Sequence, residues 1–275
     1  MGALVGAAYV TGHLSVDYHR GFFAFLVRAS KLESWGSKRI MLIHTIFDLA
    51  GWLTAALLGI LVGRLKLLPP GSSRTPFTDP GYFIALGLGA LSGAIFMGSL
   101  NLNLAGTFAI GHSIAGGIIG GIFGVEFYKW ANGIRGSTGA GFVAPLAAGI
   151  AVGRLGCFFA GLPDYTYGIP TALPWGVDFG DGIPRHPVQL YESAAMLVFL
   201  VIYLAAIARG SSMFARDGFY LFVWFYGVQR FVWEFLKPYP AVVGPLNVFH
   251  LVTIVMMAYG VFMTMGTRKK TARET

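Results

Sequence analysis

Residues 188–208 read VQLYESAAMLVFLVIYLAAIA, an apolar run whose one charge, Glu192, stands near its start. A membrane-spanning helix needs about 20 mostly apolar residues. Six further stretches follow the same pattern, at 40–65, 81–104, 107–130, 139–161, 217–236 and 246–266. Over the whole chain 55% of residues are hydrophobic and only 12% are charged. A soluble domain carries about 25% charged residues, so this chain in water would expose large apolar areas. The expected fold class is all-α integral membrane, with about seven transmembrane helices.

The other segments are arranged around these spans. Residues 1–38 hold short apolar pieces broken by His13, Asp17, His19 and Arg20, which predicts an external interfacial arm. Residues 39–267 form the seven-span domain, and 268–275 a basic tail. Met1 to Ser15 lack the basic start and small-residue cleavage pattern of a signal peptide, so the first span is expected to direct insertion. Of the loop lysines and arginines, eleven fall on the side holding the C-terminus and seven on the other, five of those at or before Arg39. Positive residues favour the cytoplasmic side, so the tail is predicted cytoplasmic and the loop 162–187 external.

The formal net charge is +8. Its basic residues sit in short loops without interleaved aromatics, which points to membrane lipid headgroups and excludes nucleic acid as a partner. Cys157 is the single cysteine, so no internal disulfide forms. The histidines are scattered without ligand spacing on one helix, and neither a metal nor a cofactor is expected. Gly116, Gly117, Gly120, Gly121 and Gly124 give the third span a small-residue face, suited to close helix packing or to a lipid headgroup beside the helix.

Ionisable residues inside a membrane are costly and mark function. Arg154 lies in the fourth span near its outer end, Glu192 just inside the fifth, and Arg230 and Glu234 in the last turns of the sixth. His112 falls in the outer half of the third span. The alternation of the spans brings all five to one leaflet, as a shared polar site. Guanidinium keeps its proton, so two buried arginines need anionic partners. Glutamates supply part, and a phospholipid phosphate would supply the rest. The bland alternative is that the arginines only pair with Glu192, Glu234 or Asp164 and hold the bundle together. The loop 162–187 is rich in Pro, Gly, Tyr and Trp and reads as an ordered cap over the site.

Four motifs carry a resemblance. They are Gly153-Arg154-Leu155-Gly156-Cys157-Phe158, Pro174-Trp175-Gly176, Pro184-Arg185-His186-Pro187-Val188-Gln189-Leu190-Tyr191-Glu192, and Tyr226-Gly227-Val228-Gln229-Arg230-Phe231-Val232-Trp233-Glu234-Phe235. In this order the chain resembles the bacterial prolipoprotein diacylglyceryl transferase family over roughly residues 40–265. The resemblance implies a seven-span enzyme of the inner membrane that moves the diacylglyceryl group of phosphatidylglycerol to a prolipoprotein cysteine and releases glycerol phosphate. It implies that Arg154 and Arg230 contact the lipid phosphate, that Glu234 orients Arg230, and that His186, Gln189, Tyr191 and Glu192 build the loop-to-helix framework. Beside these, Asp164 and Arg185 of the loop are expected to join in substrate binding. A monomer is expected.

The chain departs from the family pattern beside the arginine. Where the family continues with Asn-Phe-x-Asn-x-Glu, this chain has Cys157, Phe158, Ala160 and Leu162, and Asp164 is the nearest carboxylate. Where the family has His directly before Gly-Gly, Ala115 stands, with His112 three residues earlier. The base that takes the thiol proton is therefore open among His112, Asp164, Glu192 and His186. A related transferase with another acceptor, and a non-catalytic lipid-binding or transport protein, are the rival readings.

Overall fold

The structure, a computed structural model, describes the backbone of residues 18–69 and 79–274 and the side chains of 41–69 and 79–266. Seven long helices occur among the described residues: α1 (Tyr18–Arg64), α2 (Pro80–Leu104), α3 (Ile114–Ala131), α4 (Val143–Ala160), α5 (Val188–Ala208), α6 (Ser212–Glu234) and α7 (Val248–Glu274). Two compact units are defined, Met1–Ile43 and His44–Thr275. In the first, residues 1–17 of the expected interfacial arm lie outside the described residues, and the backbone from Tyr18 is helical. Everything below concerns the second unit. Its α7 carries the basic tail as helix to Glu274.

Among the described residues, five helices are long and apolar enough to cross a membrane: Met41–Arg64, Pro80–Leu104, Ala140–Ala160, Val188–Ala208 and Val248–Gly266. Glu126, Lys129 and the glycines dilute the apolar character of α3. Arg216, Asp217, Arg230 and Glu234 do the same for α6. Leu53, Leu57, Leu88 and Leu91 all stand exposed on α1 and α2. That is where lipid replaces water as the solvent for a helix face. The chain is a multi-pass membrane protein.

Local chemistry sets the helix ends. Asp79 accepts a hydrogen bond from the Gly81 N–H at 2.9 Å, and Pro80 stands at the first helical position of α2. Ser113 accepts from the Gly116 N–H at 3.2 Å and opens α3. This cap corrects the sequence expectation that the third span begins at 107. Gly106 takes a positive φ of 81°, the chain stays non-helical to Ser113, and His112 is an exposed loop residue one position before the cap. The glycine face of α3 lies against α2. A Cβ on Gly93 or Gly120 would run into the facing backbone carbonyl, so the face serves close packing.

The main core lies between α4, α5, α6 and α7, around Val143, Ala147, Met196, Tyr203, Phe222, Tyr226 and Met256. Polar ties fix the register. Ser193 Oγ donates to the Ala151 carbonyl at 2.7 Å, and Tyr259 Oη donates to Glu126 at 2.8 Å. Between α4 and α5 the chain makes a 3-10 turn (Leu162–Asp164) and a short antiparallel pair, β1 (Val177–Asp178) and β2 (Pro184–Arg185), with Val177 opposite Arg185. Asp178 Oδ1 accepts from the N–H groups of Gly180, Asp181 and Gly182 and fixes the hairpin bend. Ile169 N donates to the Leu236 carbonyl at 2.7 Å, and Tyr165 Oη to the Pro238 carbonyl at 3.3 Å. The loop is ordered, as its composition predicts, and it is fastened to the segment that leaves α6.

Candidate functional site

Arg154 projects from α4, Glu192 from the second turn of α5, and Arg230 and Glu234 from the end of α6; all four are at most 5% exposed. Spacing on α6 puts Arg230 and Glu234 on one face, four apart, and they pair at 2.6 Å. Glu192 joins the helices. One oxygen takes Arg154 Nε at 2.6 Å, and the other takes Arg230 Nη1 and Lys237 Nζ, the latter at 2.8 Å. On the far side, Asn247 Nδ2 donates to Glu234 at 3.0 Å, and the Arg230 guanidinium lies over the Phe249 ring at 5.4 Å. His250 accepts the Asn247 N–H at Nδ1, so its proton sits on Nε2 and the ring is neutral.

Charge is the cluster's main property. Three cations (Arg154, Arg230 and Lys237) face two carboxylates (Glu192 and Glu234), all of them buried. An unbalanced buried charge is costly, so the site favours an anion. Two polar groups add to this. Arg230 Nε and both amide atoms of the fully buried Gln189 have no hydrogen-bond partner among the described residues. Lys237 lies past the end of α6. Burial, helped by the nearby Arg230 charge, pushes its ammonium down to about 8, against the pull of Glu192 and Glu234.

The other expected site residues take different positions. His186 Nδ1 faces Tyr191 Oη at 3.3 Å, and Trp175 Nε1 donates to the same hydroxyl at 2.8 Å, so these residues join the cap to α5. Arg185 makes a two-pronged pair with Asp181 at 2.6 and 2.7 Å and lies over Tyr167. It braces the hairpin. His112 makes no side-chain hydrogen bond or ion pair among the described residues and is not brought to the cluster. Asp164 does approach it, but through a partner that sequence reasoning missed. His44 of α1 pairs with Asp164 at 2.8 Å, and Thr166 Oγ1 donates to the other carboxylate oxygen. Burial alone would raise the Asp164 carboxyl, yet the bonds from His44 and Thr166 hold it below the usual carboxylate range.

Lys237 is a further site member that sequence reasoning misses, because it stands among the loop charges. Its signal is the spacing Glu234-Phe235-Leu236-Lys237, which returns the lysine to the glutamate's side of the helix exit. Cys157 lies one turn beyond Arg154, whose Nη1 is 3.9 Å from its sulfur. It is a small, partly buried residue, and free cysteine ordinarily serves as a packing group. Cys157→Ser is expected to retain acceptor transfer; loss of activity with normal folding would instead mark the thiol as a nucleophile.

Fold and site together define a multi-pass helical membrane protein that buries an excess of positive charge where four helices converge. The family model described as prolipoprotein diacylglyceryl transferase matches residues 21–266. Curated relatives named phosphatidylglycerol–prolipoprotein diacylglyceryl transferase include one from Nitratidesulfovibrio vulgaris, 35% identical over 68% of this chain and 74% of its own length. Another, from Solidesulfovibrio magneticus, is 32% identical over 74% of this chain and 83% of its own. No solved structure matches the chain. The chain belongs to the prolipoprotein diacylglyceryl transferase family.

Proposed function

We propose that the chain transfers the diacylglyceryl group of phosphatidylglycerol to the cysteine thiol of a prolipoprotein and releases glycerol phosphate. The enzyme would cross the bacterial inner membrane seven times, with its C-terminus cytoplasmic and its site in the outer leaflet. The buried excess of one positive charge at Arg154, Arg230 and Lys237 carries this reading. Family membership supplies the reaction.

In the reaction, the acceptor sulfur bonds to carbon C3 of the lipid glycerol. The C3–O bond breaks, and its electron pair leaves on the phosphate oxygen of glycerol phosphate. Negative charge on the phosphate grows as that bond breaks. Arg154 and Arg230, already oriented by Glu192 and Glu234, meet this charge without reorganising. Gln189 offers an amide to the headgroup. The test is to incubate purified protein with phosphatidylglycerol and a lipobox peptide and to follow both products by mass spectrometry. Glycerol phosphate without lipidated peptide, or no release at all, would sink the reading.

Lys237 gives this reading a pH dependence. Only its protonated form attracts phosphate, and its ammonium loses the proton at about 8. Apparent affinity for phosphatidylglycerol should therefore be greatest below pH 8 and fall as pH rises to 9. Because bound phosphate holds the proton on, the fall appears in kcat/KM more than in kcat. Lys237→Met should lower kcat/KM at pH 7 and lose this part of the pH dependence. An unchanged profile in the variant removes Lys237 from the phosphate site.

A second reading has the same phosphate site serving another acceptor. The replacements at Cys157, Ala160 and Leu162, beside Arg154, favour it. Glycerol phosphate release with an amphiphilic thiol or hydroxyl acceptor, and none with the lipobox peptide, would decide for it.

A further inference from the structure

The transfer reaction needs a group that takes the proton from the acceptor thiol, and the arginine cluster has none to offer. Both oxygens of Glu192 are held by cations: Arg154 on one, Arg230 and Lys237 on the other. His186 is engaged by the Tyr191 hydroxyl in the cap. His112 stands in the exposed segment before α3, without a residue to orient it.

A different pair has the required geometry. His44 Nε2 lies 2.8 Å from Asp164 Oδ1, and Thr166 holds Oδ2. The carboxylate fixes the ring tautomer with the proton on Nε2. Nδ1 is left with a lone pair and no hydrogen-bond partner among the described residues. An imidazole held this way is a positioned base. The side chain of His44 is 31% exposed and that of Asp164 12%, so the base is open to an incoming peptide while its orienting partner is covered. The pair also adjoins the phosphate site. Ligand atoms of His44, Asp164 and Cys157 lie within 4.8 Å of one another, and the Cys157 sulfur is 3.9 Å from Arg154. Asp164 and Cys157 fall in the stretch where this chain departs from the family pattern, and the departures meet His44 in space.

We propose that His44, oriented by Asp164, is the general base that accepts the proton of the acceptor thiol. The proposal rests on the transfer reading above. His44 Nδ1 takes the S–H proton. The sulfur pair forms the S–C3 bond, and the C3–O pair leaves with glycerol phosphate into the field of Arg154 and Arg230. The imidazolium, stabilised by Asp164, then gives its proton to water. Asp164 is a positioning residue in this scheme. A divalent ion held by His44, Cys157 and Asp164 is disfavoured by the adjacent Arg154 cation and by the direct His44–Asp164 bond.

The test uses the full-length protein in detergent or nanodiscs, with phosphatidylglycerol and a lipobox peptide. His44→Ala is expected to lose about 100-fold or more in kcat, the usual contribution of general base catalysis. Its binding of phosphatidylglycerol should be unchanged, and added imidazole should restore part of the rate. Asp164→Asn should lower kcat and move the acid limb of the pH–rate profile. The charged and titratable groups bearing on that limb are Asp164, Cys157, Arg154 and Asp48, one turn along α1. Near-normal turnover in His44→Ala, or a loss that imidazole does not rescue and that comes with lost lipid binding, would overturn the proposal. So would loss of wild-type activity on chelation with recovery on added zinc. An inactive wild type would refute the transfer reading itself, and this inference with it.

Discussion

Arg230→Lys should reduce diacylglyceryl transfer by about 10²–10³-fold, the usual cost of removing one charge-stabilising donor from an active site. The substitution keeps the charge, so the loss isolates the geometry of the guanidinium. Arg230 uses Nη1 for Glu192 and Nη2 for Glu234, and Nε is left without a partner among the described residues. A lysine ammonium is a point charge on a flexible stem and cannot hold two carboxylates while presenting a further N–H. Steady-state kinetics with phosphatidylglycerol should show the loss mainly in kcat, because the phosphate charge that Arg230 meets develops as the C3–O bond breaks. A loss confined to KM would assign Arg230 to ground-state binding alone. Wild-type turnover in Arg230→Lys would remove it from the reaction.

Glu192→Gln is expected to have the largest effect on folding. Glu192 is 1% exposed and compensates Arg154, Arg230 and Lys237 together. Without its charge, three buried cations would share Glu234, the one remaining carboxylate of the cluster. Breaking a buried pair by removing one partner costs about 3–5 kcal/mol. For a domain of this size that corresponds to a drop in melting temperature on the order of 10 °C. Thermal unfolding in detergent checks it, and glycerol phosphate or a soluble phosphate analogue should recover part of the drop by supplying the missing anion. A variant that melts like the wild type, with or without phosphate, would show that the cluster is not held by charge.

The first of these effects was legible in the sequence. Arg154, Glu192, Arg230 and Glu234 stand out because they interrupt apolar runs, where a charge is tolerated only with partners. Counting alternate spans placed all four together, and the structure joins them directly. The ordered cap was legible from its turn residues. The pairing of Glu192 with three cations was not, because Lys237 reads as an ordinary loop charge until the chain leaving α6 folds back over Glu192.

Apolar length, the position of each charge along its run, and the loop composition are local properties of the chain. By themselves they determined a helical membrane protein with buried arginines near one end of the bundle. Which polar groups meet across helices depends on helix rotation and on how the intervening loops turn, and only the tertiary structure decided those. His112 shows the first limit: the Ser113 cap and the positive φ of Gly106 removed it from the helix that a continuous apolar reading assigned to it. His44 and Asp164 show the second: 120 positions of chain separate two residues that lie 2.8 Å apart, and no periodicity connects them. A buried charge is visible in sequence because its cost is local, whereas its partner is set by packing between distant segments.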